Sequence, residues 1–327
     1  MQLTKILVTG SNGLVGKYLE EIINQRSMCI FYNIIYIQRN EVDLRDETQV
    51  LSIFKNIKPD IVIHLAASVG GLYFNMDNNY QIFMDNVKIN GNILTACDKF
   101  NVSKLINVLS TCVFPDKQLP ETSESIFNEH LNSKNIHDGK PHPSNEGYSY
   151  SKRLLEIGSR LLSEKGKLKV VNLIPTNLYG KYDNFNIKNG HVIPALIHKM
   201  YLAKRDNTQF NVLGSGLAKR QFVYAGDFAE IIIKFVNLDI KKSNVSCIIS
   251  PPSSDEVIIT DIIDLLQGCF EFDNPIVYSG LSNNGQLKKT CNDYELKAFF
   301  DFKFTTLKNG LQKTTTFFIQ NYPDLRF

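Results

Sequence analysis

The chain reads as an α/β protein: a doubly wound parallel sheet followed by a smaller α/β lobe. Two observations predict this. Apolar, β-prone runs at Lys5–Thr9, Asn33–Gln38, Asp60–Leu65, up to Leu109, and Leu168–Ile174 alternate with helix-length segments, the pattern of parallel strands joined by crossover helices. The first run also passes directly into Thr-Gly-Ser-Asn-Gly-Leu-Val-Gly and then into a helical pattern through Leu19, Ile22 and Ile23. With 327 residues, 43% of them hydrophobic, the chain can bury the core of one large two-lobed body. The alternation weakens after Asn177, which divides the chain into residues 1–176 and residues 177–327, with parts of the second expected to pack back on the first.

Taken in order, each element has a local reason. Gly10, Gly13 and Gly16 let the chain turn tightly, approach a pyrophosphate closely and pack a helix on its strand, while the helix amino terminus favours the anion. Such a triplet also makes ordinary turns, but the readable strand and helix on either side favour a dinucleotide site. The second strand ends in Gln38-Arg39-Asn40, with no carboxylate to grip ribose hydroxyls. Arg39 suits a 2′-phosphate, hence NADP(H) over NAD, unless it is simply a surface arginine. Asp43 and Leu44 would border the adenine, although Asp43 equally suits the cap of a helix starting near Asp46. The third strand runs into Ala66-Ala67-Ser68-Val69-Gly70-Gly71, small residues that let a cofactor lie on the backbone or merely pack closely. Tyr80–Phe100 is a long helix whose apolar positions suit both core packing and a dimer face.

Composition excludes several classes. The formal charge of +3 comes from interspersed charges, without the basic stripe of a nucleic-acid binder. Six cysteines are scattered without metal-like clusters, which points to free thiols, no metal and no disulfide framework. No apolar run reaches membrane-span length and the amino terminus enters a strand, so a cytoplasmic protein is expected. Phe127–Pro143 reads as a polar surface loop with solvated histidines, and Thr305–Asn321 as a loop and closing helix.

The chemistry-bearing residues cluster in chain order. Ser110 and Cys112 follow the apolar run at Leu105–Leu109, and ligands in open α/β sheets sit beyond the carboxyl ends of strands. Alternation along an extended chain would turn both to one side. A Ser-Thr turn with a buried thiol would look the same in isolation. Tyr148 and Lys152 have the spacing of one helix face, and His191 lies in a Gly-containing loop. An ammonium beside a phenol lowers its pKa and can anchor a nicotinamide ribose.

Together with the glycine turn, these residues resemble the extended short-chain dehydrogenase/reductase superfamily, whose first domain is an NADP-binding Rossmann domain. The runs Ser110-Thr111-Cys112-Val113-Phe114-Pro115, Gly147 to Lys152, Pro175-Thr176-Asn177, Asp183-Asn184-Phe185 and Gly190-His191-Val192-Ile193-Pro194 narrow the resemblance to the GDP-L-fucose synthase family. That resemblance implies an NADPH-dependent epimerase-reductase of GDP-4-keto-6-deoxy-D-mannose, acting as a homodimer. It assigns Gly10, Gly13, Gly16, Arg39, Asp43, Leu44 and Lys152 to the cofactor, and Ser110, Tyr148 and Lys152 to reduction. Cys112 and His191 fall to epimerisation, and Asn177, Lys199, Arg220 and Lys289 to the GDP-sugar. The chain departs from the family at Leu213, where Trp is usual, and at Ala218, where Pro is frequent. Rival expectations are an epimerase-reductase of a UDP- or TDP-keto sugar and a noncatalytic NADPH sensor.

Overall fold

The computed structural model describes residues 3–116, 131–279 and 289–327. Its first half alternates regularly: β1 (Thr4–Thr9), α1 (Leu14–Gln25), β2 (Tyr32–Ile37), α2 (Glu47–Ile57), β3 (Ile61–His64), α3 (Leu72–Asp77), α4 (Asn79–Lys99), β4 (Lys104–Val108), α5 (Glu146–Glu164) and β5 (Lys169–Pro175). Shorter elements follow: β6 (Asn177–Tyr179), α6 (Val192–Arg205), β7 (Phe210–Leu213), β8 (Lys219–Arg220), β9 (Phe222–Tyr224), α7 (Ala225–Asn237), β10 (Asn244–Ile249), β11 (Val257–Ile258), α8 (Ile259–Phe270), β12 (Ile276–Ser279), α9 (Tyr294–Lys297) and α10 (Leu307–Asn321).

Six strands form one parallel sheet in the order β10-β5-β4-β3-β1-β2. The order reverses between β1 and β3, and such a switch point opens a crevice at the carboxyl ends of the strands. Period-2 alternation decides which layer each residue enters. Ile6 and Val8 join Leu19, Phe228 and Ile232 of α1 and α7 on one face, while Leu7, Val62, Leu105 and Val170 join Val50, Phe54 and Ile93 of α2 and α4 on the other. Because both faces are covered, these strands read as continuous apolar runs. The sixth strand, β10, comes from residues beyond 177 and pairs with β5 along its whole length.

A polar relay crosses this core. His64 Nδ1 lies 2.8 Å from the Thr9 hydroxyl, His64 Nε2 lies 3.1 Å from Asn90 Oδ1, and Asn90 donates to the Ser151 carbonyl at 3.2 Å. Burial, reinforced by the nearby Lys152 charge, pulls His64 down to about 3, so it stays neutral. The relay ties β1, β3 and α4 to the helix that carries Tyr148 and Lys152.

Three local expectations change. Asp46, not Asp43, caps α2, accepting from the Gln49 N–H at 3.1 Å. Asp43 instead clasps Arg45 at 2.8 Å, and the Arg45 hydrogen bonds hold its carboxyl down at about 2. Among the loop histidines, His137 pairs with Glu156 at 2.9 Å and His142 caps a turn through Ser144 while lining the main cleft, so neither is merely solvated. His130, in the same loop, lies outside the described residues. After β4 the chain does not stay extended, as described below.

Candidate active site

One cleft of about 870 Å³ runs along the carboxyl ends of the strands. It is lined by all the residues singled out from the sequence: Gly10, Gly13, Gly16, Arg39, Asp43 and Leu44 at one end, Ser110, Cys112, Tyr148, Lys152 and His191 in the middle, and Asn177, Lys199, Arg220 and Lys289 toward the other lobe.

The glycine end is a cradle that side chains would fill. Gly10 has φ +69°, and a Cβ there would stand 2.7 Å from the Ala66 nitrogen, while a Cβ on Gly16 would stand 2.3 Å from the Ser11 carbonyl oxygen. Any larger residue would therefore displace backbone. The Ser11 hydroxyl donates to the Ile37 carbonyl at 3.1 Å and Asn12 donates to Gln38 at 3.0 Å, pinning the turn against the end of β2 where Arg39 projects. A turn of this shape opening into α1, with an exposed arginine at its rim, fits a phosphorylated dinucleotide.

Ser110 leaves β4 in extended conformation, but residues 111–113 coil into one 3-10 turn because the Ser110 hydroxyl accepts the Cys112 N–H at 3.3 Å. Hence a capped turn, rather than strand alternation, brings Ser110 and Cys112 to the cleft. Arg153 fixes that turn from α5: its Nε donates to the Val113 carbonyl and its Nη1 to the Gly139 carbonyl, each at 2.7 Å. Cys112 is 8% exposed.

On α5, Lys152 is 1% exposed and its ammonium donates to the Val108 carbonyl at 2.7 Å, placing the charge at the end of β4. It stands 5.7 Å from the centroid of the Tyr148 ring. Burial brings Lys152 down to about 8, against the opposing pull of Cys112. The expected lowering of the Tyr148 phenol does not occur in this site. Burial, reinforced by Cys112, pushes Tyr148 up. Tyr148 therefore stays protonated, the form a proton donor needs.

His191 is the residue just before α6, at its N-cap position, and faces Asp183, with Nδ1 3.8 Å from the carboxylate. Its side chain is 53% accessible, within a recess of the cleft walled by protein. Burial pulls the imidazole down, but the facing Asp183 carboxylate outweighs that pull and the opposition of Arg326, so the net shift is upward. Sequence reasoning quoted Asp183 without a role and passed over Arg326; neither carried a spacing signal toward His191.

The far end is cationic. Burial pulls Lys199 down, as it does Arg220 against the charge of Glu256, and Lys289 against Cys112. Partly desolvated cations of this kind gain from an anionic ligand. Gln221, passed over in the sequence, holds the frame: its amide donates to the Pro251 and Cys291 carbonyls at 3.0 Å and its carbonyl accepts from Cys291 N at 2.7 Å. The same residue's backbone carbonyl accepts from the Asn177 side chain at 2.9 Å. One buried glutamine thus joins the segments bearing Asn177, Arg220 and Lys289.

The comparisons with known proteins agree in kind. Residues 6–245 match the NAD dependent epimerase/dehydratase family. The chain is 38% identical over 324 residues to a GDP-L-fucose synthase from Dictyostelium discoideum, covering 98% of this chain and 97% of that one. It is 35% identical to a probable GDP-L-fucose synthase from Drosophila melanogaster, covering 98% and 99%. The crystal structure of a GDP-L-fucose synthetase from Naegleria fowleri bound to NADP superposes with a TM-score of 0.88 at 35% identity, covering 100% of this chain and 96% of that one. A parallel six-stranded sheet, a glycine cradle and one continuous chain-length match leave a single assignment: the chain belongs to the NAD dependent epimerase/dehydratase family, in its GDP-L-fucose synthase branch.

Proposed function

We propose that this protein converts GDP-4-keto-6-deoxy-D-mannose to GDP-L-fucose by 3,5-epimerisation and NADPH-dependent reduction of the 4-ketone. The observation that carries the reading is that one cleft joins a dinucleotide cradle, a Ser110-Tyr148-Lys152 set, a thiol, an imidazole and a cationic far wall. In this reading residues 1–176 mainly hold the cofactor and residues 177–327 mainly hold the nucleotide sugar. Gly10, Gly13, Gly16 and Arg39 hold the dinucleotide, with Asp43 and Leu44 at the adenine and Lys152 at the nicotinamide ribose. The bound cofactor supplies the hydride equivalent for carbon 4.

The side chains do the rest. Ser110 and Tyr148 polarise the ketone, which acidifies the hydrogens on both neighbouring carbons. Cys112 as thiolate takes a carbon-bound proton from one face, and His191 returns one to the other. Solvent exchange resets the thiol and the imidazolium before the second carbon is inverted. In reduction, Tyr148 gives its proton to the oxygen. Lys199, Arg220 and Lys289 meet the diphosphate, and Asn177 meets the sugar nucleotide.

Incubation with GDP-4-keto-6-deoxy-D-mannose and NADPH, with product analysis by NMR, tests the reading; turnover only of UDP- or TDP-keto sugars, or of none, defeats it. Two substitutions refine it. Arg39→Ala should weaken NADPH selectively by roughly tenfold or more, the scale of a charge-assisted phosphate contact. Arg220→Ala should raise the apparent substrate constant with NADPH binding intact. Equal loss of NADPH and NADH, or unchanged substrate kinetics, would remove those roles.

A homodimer is part of the same reading, supported by Tyr80 on α4 and Leu154 and Leu161 on α5, which are large, apolar and exposed on neighbouring helices. A monomeric mass by light scattering would count against it. Among the described residues no helix is long and apolar enough to cross a membrane. Exposed Cys29 is a free thiol, which suits a reducing cytosol; recovery in a secretory fraction would oppose that placement.

A further inference from the structure

The loop that delivers His191 is built around a buried carboxylate whose purpose the fold alone does not explain. Asp183 is 3% exposed, yet among the described residues its Oδ2 has no hydrogen-bond partner. Its Oδ1 accepts the Asn184 N–H at 2.8 Å and lies 3.8 Å from His191 Nδ1. A buried carboxylate with one oxygen unmatched is costly, and a charged imidazole on its Oδ1 side would offset that cost.

The loop holds this arrangement rigidly. Asn184 Oδ1 accepts from Asn186 N at 3.0 Å, and the Asn186 carbonyl accepts from Gly190 N at 2.8 Å. Gly190 is required there, since a Cβ would stand 2.4 Å from the Asn184 carbonyl oxygen. The segment is then bracketed from outside by the end of the chain. Phe185 N donates to the Arg326 carbonyl at 2.9 Å, and Phe327 packs on His198 of α6 with ring centroids 5.0 Å apart. The carboxyl-terminal tail thereby carries Arg326 into the cleft lining beside His191.

We propose that Asp183 and Arg326 are positioning residues of opposite charge acting on His191: the Asp183 carboxylate holds Nδ1–H and turns Nε2 toward the cleft, and the Arg326 guanidinium opposes retention of the second proton. The inference rests on the reading of His191 as proton donor in epimerisation. It gives that donor two needs at once: to be charged before transfer and to release the proton during it. In the step, Nε2–H breaks and the new C–H bond forms at the carbon whose proton went to Cys112, leaving neutral His191 with Nδ1–H on Asp183. Both charges act on the imidazole in the directions required, Asp183 raising its proton affinity and Arg326 lowering it. The other titratable and charged groups lining the same cleft are Lys188 in its own loop, Lys199 on α6, Tyr73, Cys112, His142, Tyr148, Lys152, Arg220 and Lys289, with Arg39, Asp43, Arg45 and Asp85 at the glycine end.

The experiment is a titration of histidine-labelled full-length enzyme by NMR, with His191→Gln assigning the resonance, alongside deuterium uptake at carbons 3 and 5 against pH. Asp183→Asn should move the His191 titration to lower pH and cut exchange at pH 8 by about tenfold. Asp183→Glu should restore much of both. Arg326→Gln, at an exposed residue, should move the titration the other way and extend exchange to higher pH. Should Asp183→Asn fail to fold, the direction of the Arg326→Gln shift alone decides. Titrations that stay in place, or shift in the same direction in both variants, overturn the proposal. If His191→Gln retains parent exchange, the failure is instead in the reading of His191 as donor.

Discussion

Cys112→Ala should abolish enzymatic deuterium exchange at carbons 3 and 5 of the keto sugar while leaving the fold intact. The thiol sits on a turn capped by Ser110 and clamped by Arg153, so truncating it removes no hydrogen bond that shapes the turn. The loss should be at least the 10²–10⁴-fold typical of a general acid or base, and more if no neighbouring group replaces it. Cys112 lies close enough to Lys152 and Lys289 to interact with both charges, and both ammoniums are pulled down by burial. Slow reduction of the unepimerised ketone should survive, because Ser110, Tyr148 and Lys152 remain. The measurement is NMR of the sugar in deuterated water with NADPH followed by absorbance. Parent-rate exchange at both carbons in folded Cys112→Ala would make the thiol structural.

How much of this was legible in the sequence depends on how locally each feature is determined. The glycine turn was readable because its cause is local: Gly10 needs positive φ and Gly16 must lie on Ser11. The buried strands were readable because a sheet covered on both faces selects unbroken apolar runs. After β4 the sequence left strand alternation and a Ser-Thr turn both open, and one hydroxyl-to-amide bond at Ser110 decides for the turn. The strand at Asn244–Ile249 was not read from the sequence, and only the fold gives it β5 as a neighbour. For the site, Tyr148 and Lys152 announce themselves through helical spacing and Cys112 through its place beyond an apolar run, whereas the roles of Cys112 and His191 and the far-wall cations came only through resemblance. Gln221 and Arg326 had no such signal, and Asp183 entered only within a matched run without a role, because their partners are reached through loops and the chain end. Even at Tyr148 the spacing misled about the phenol, which burial and Cys112 push up.

Tyr148→Phe should separate the two chemistries in the opposite sense. Burial holds the phenol in its protonated form, suited to giving a proton to the developing alkoxide at carbon 4. Removing the hydroxyl takes away both that proton and a hydrogen bond to the oxygen. NADPH oxidation should therefore fall by roughly 10²–10³-fold, as for a lost oxyanion donor. Exchange at carbons 3 and 5 should persist at a reduced rate, because Ser110 still polarises the ketone and Cys112 still moves protons. Lys152 supplies a pH signature for the same step. Its value of about 8 in the folded protein lies below the ordinary lysine value, so the ammonium is present below about pH 8 and is lost as pH rises through it. If the charge is what anchors the ribose and supports Tyr148, kcat/KM for NADPH oxidation should decline above about pH 8, and Lys152→Met should show a low rate without that limb. Stopped-flow absorbance across pH 6.5 to 9.5, a range of about three units centred on the titration, reads both effects. Parent-like oxidation in folded Tyr148→Phe, or a flat profile through pH 8 in the parent enzyme, would remove Tyr148 and Lys152 from the proton and charge roles assigned to them here.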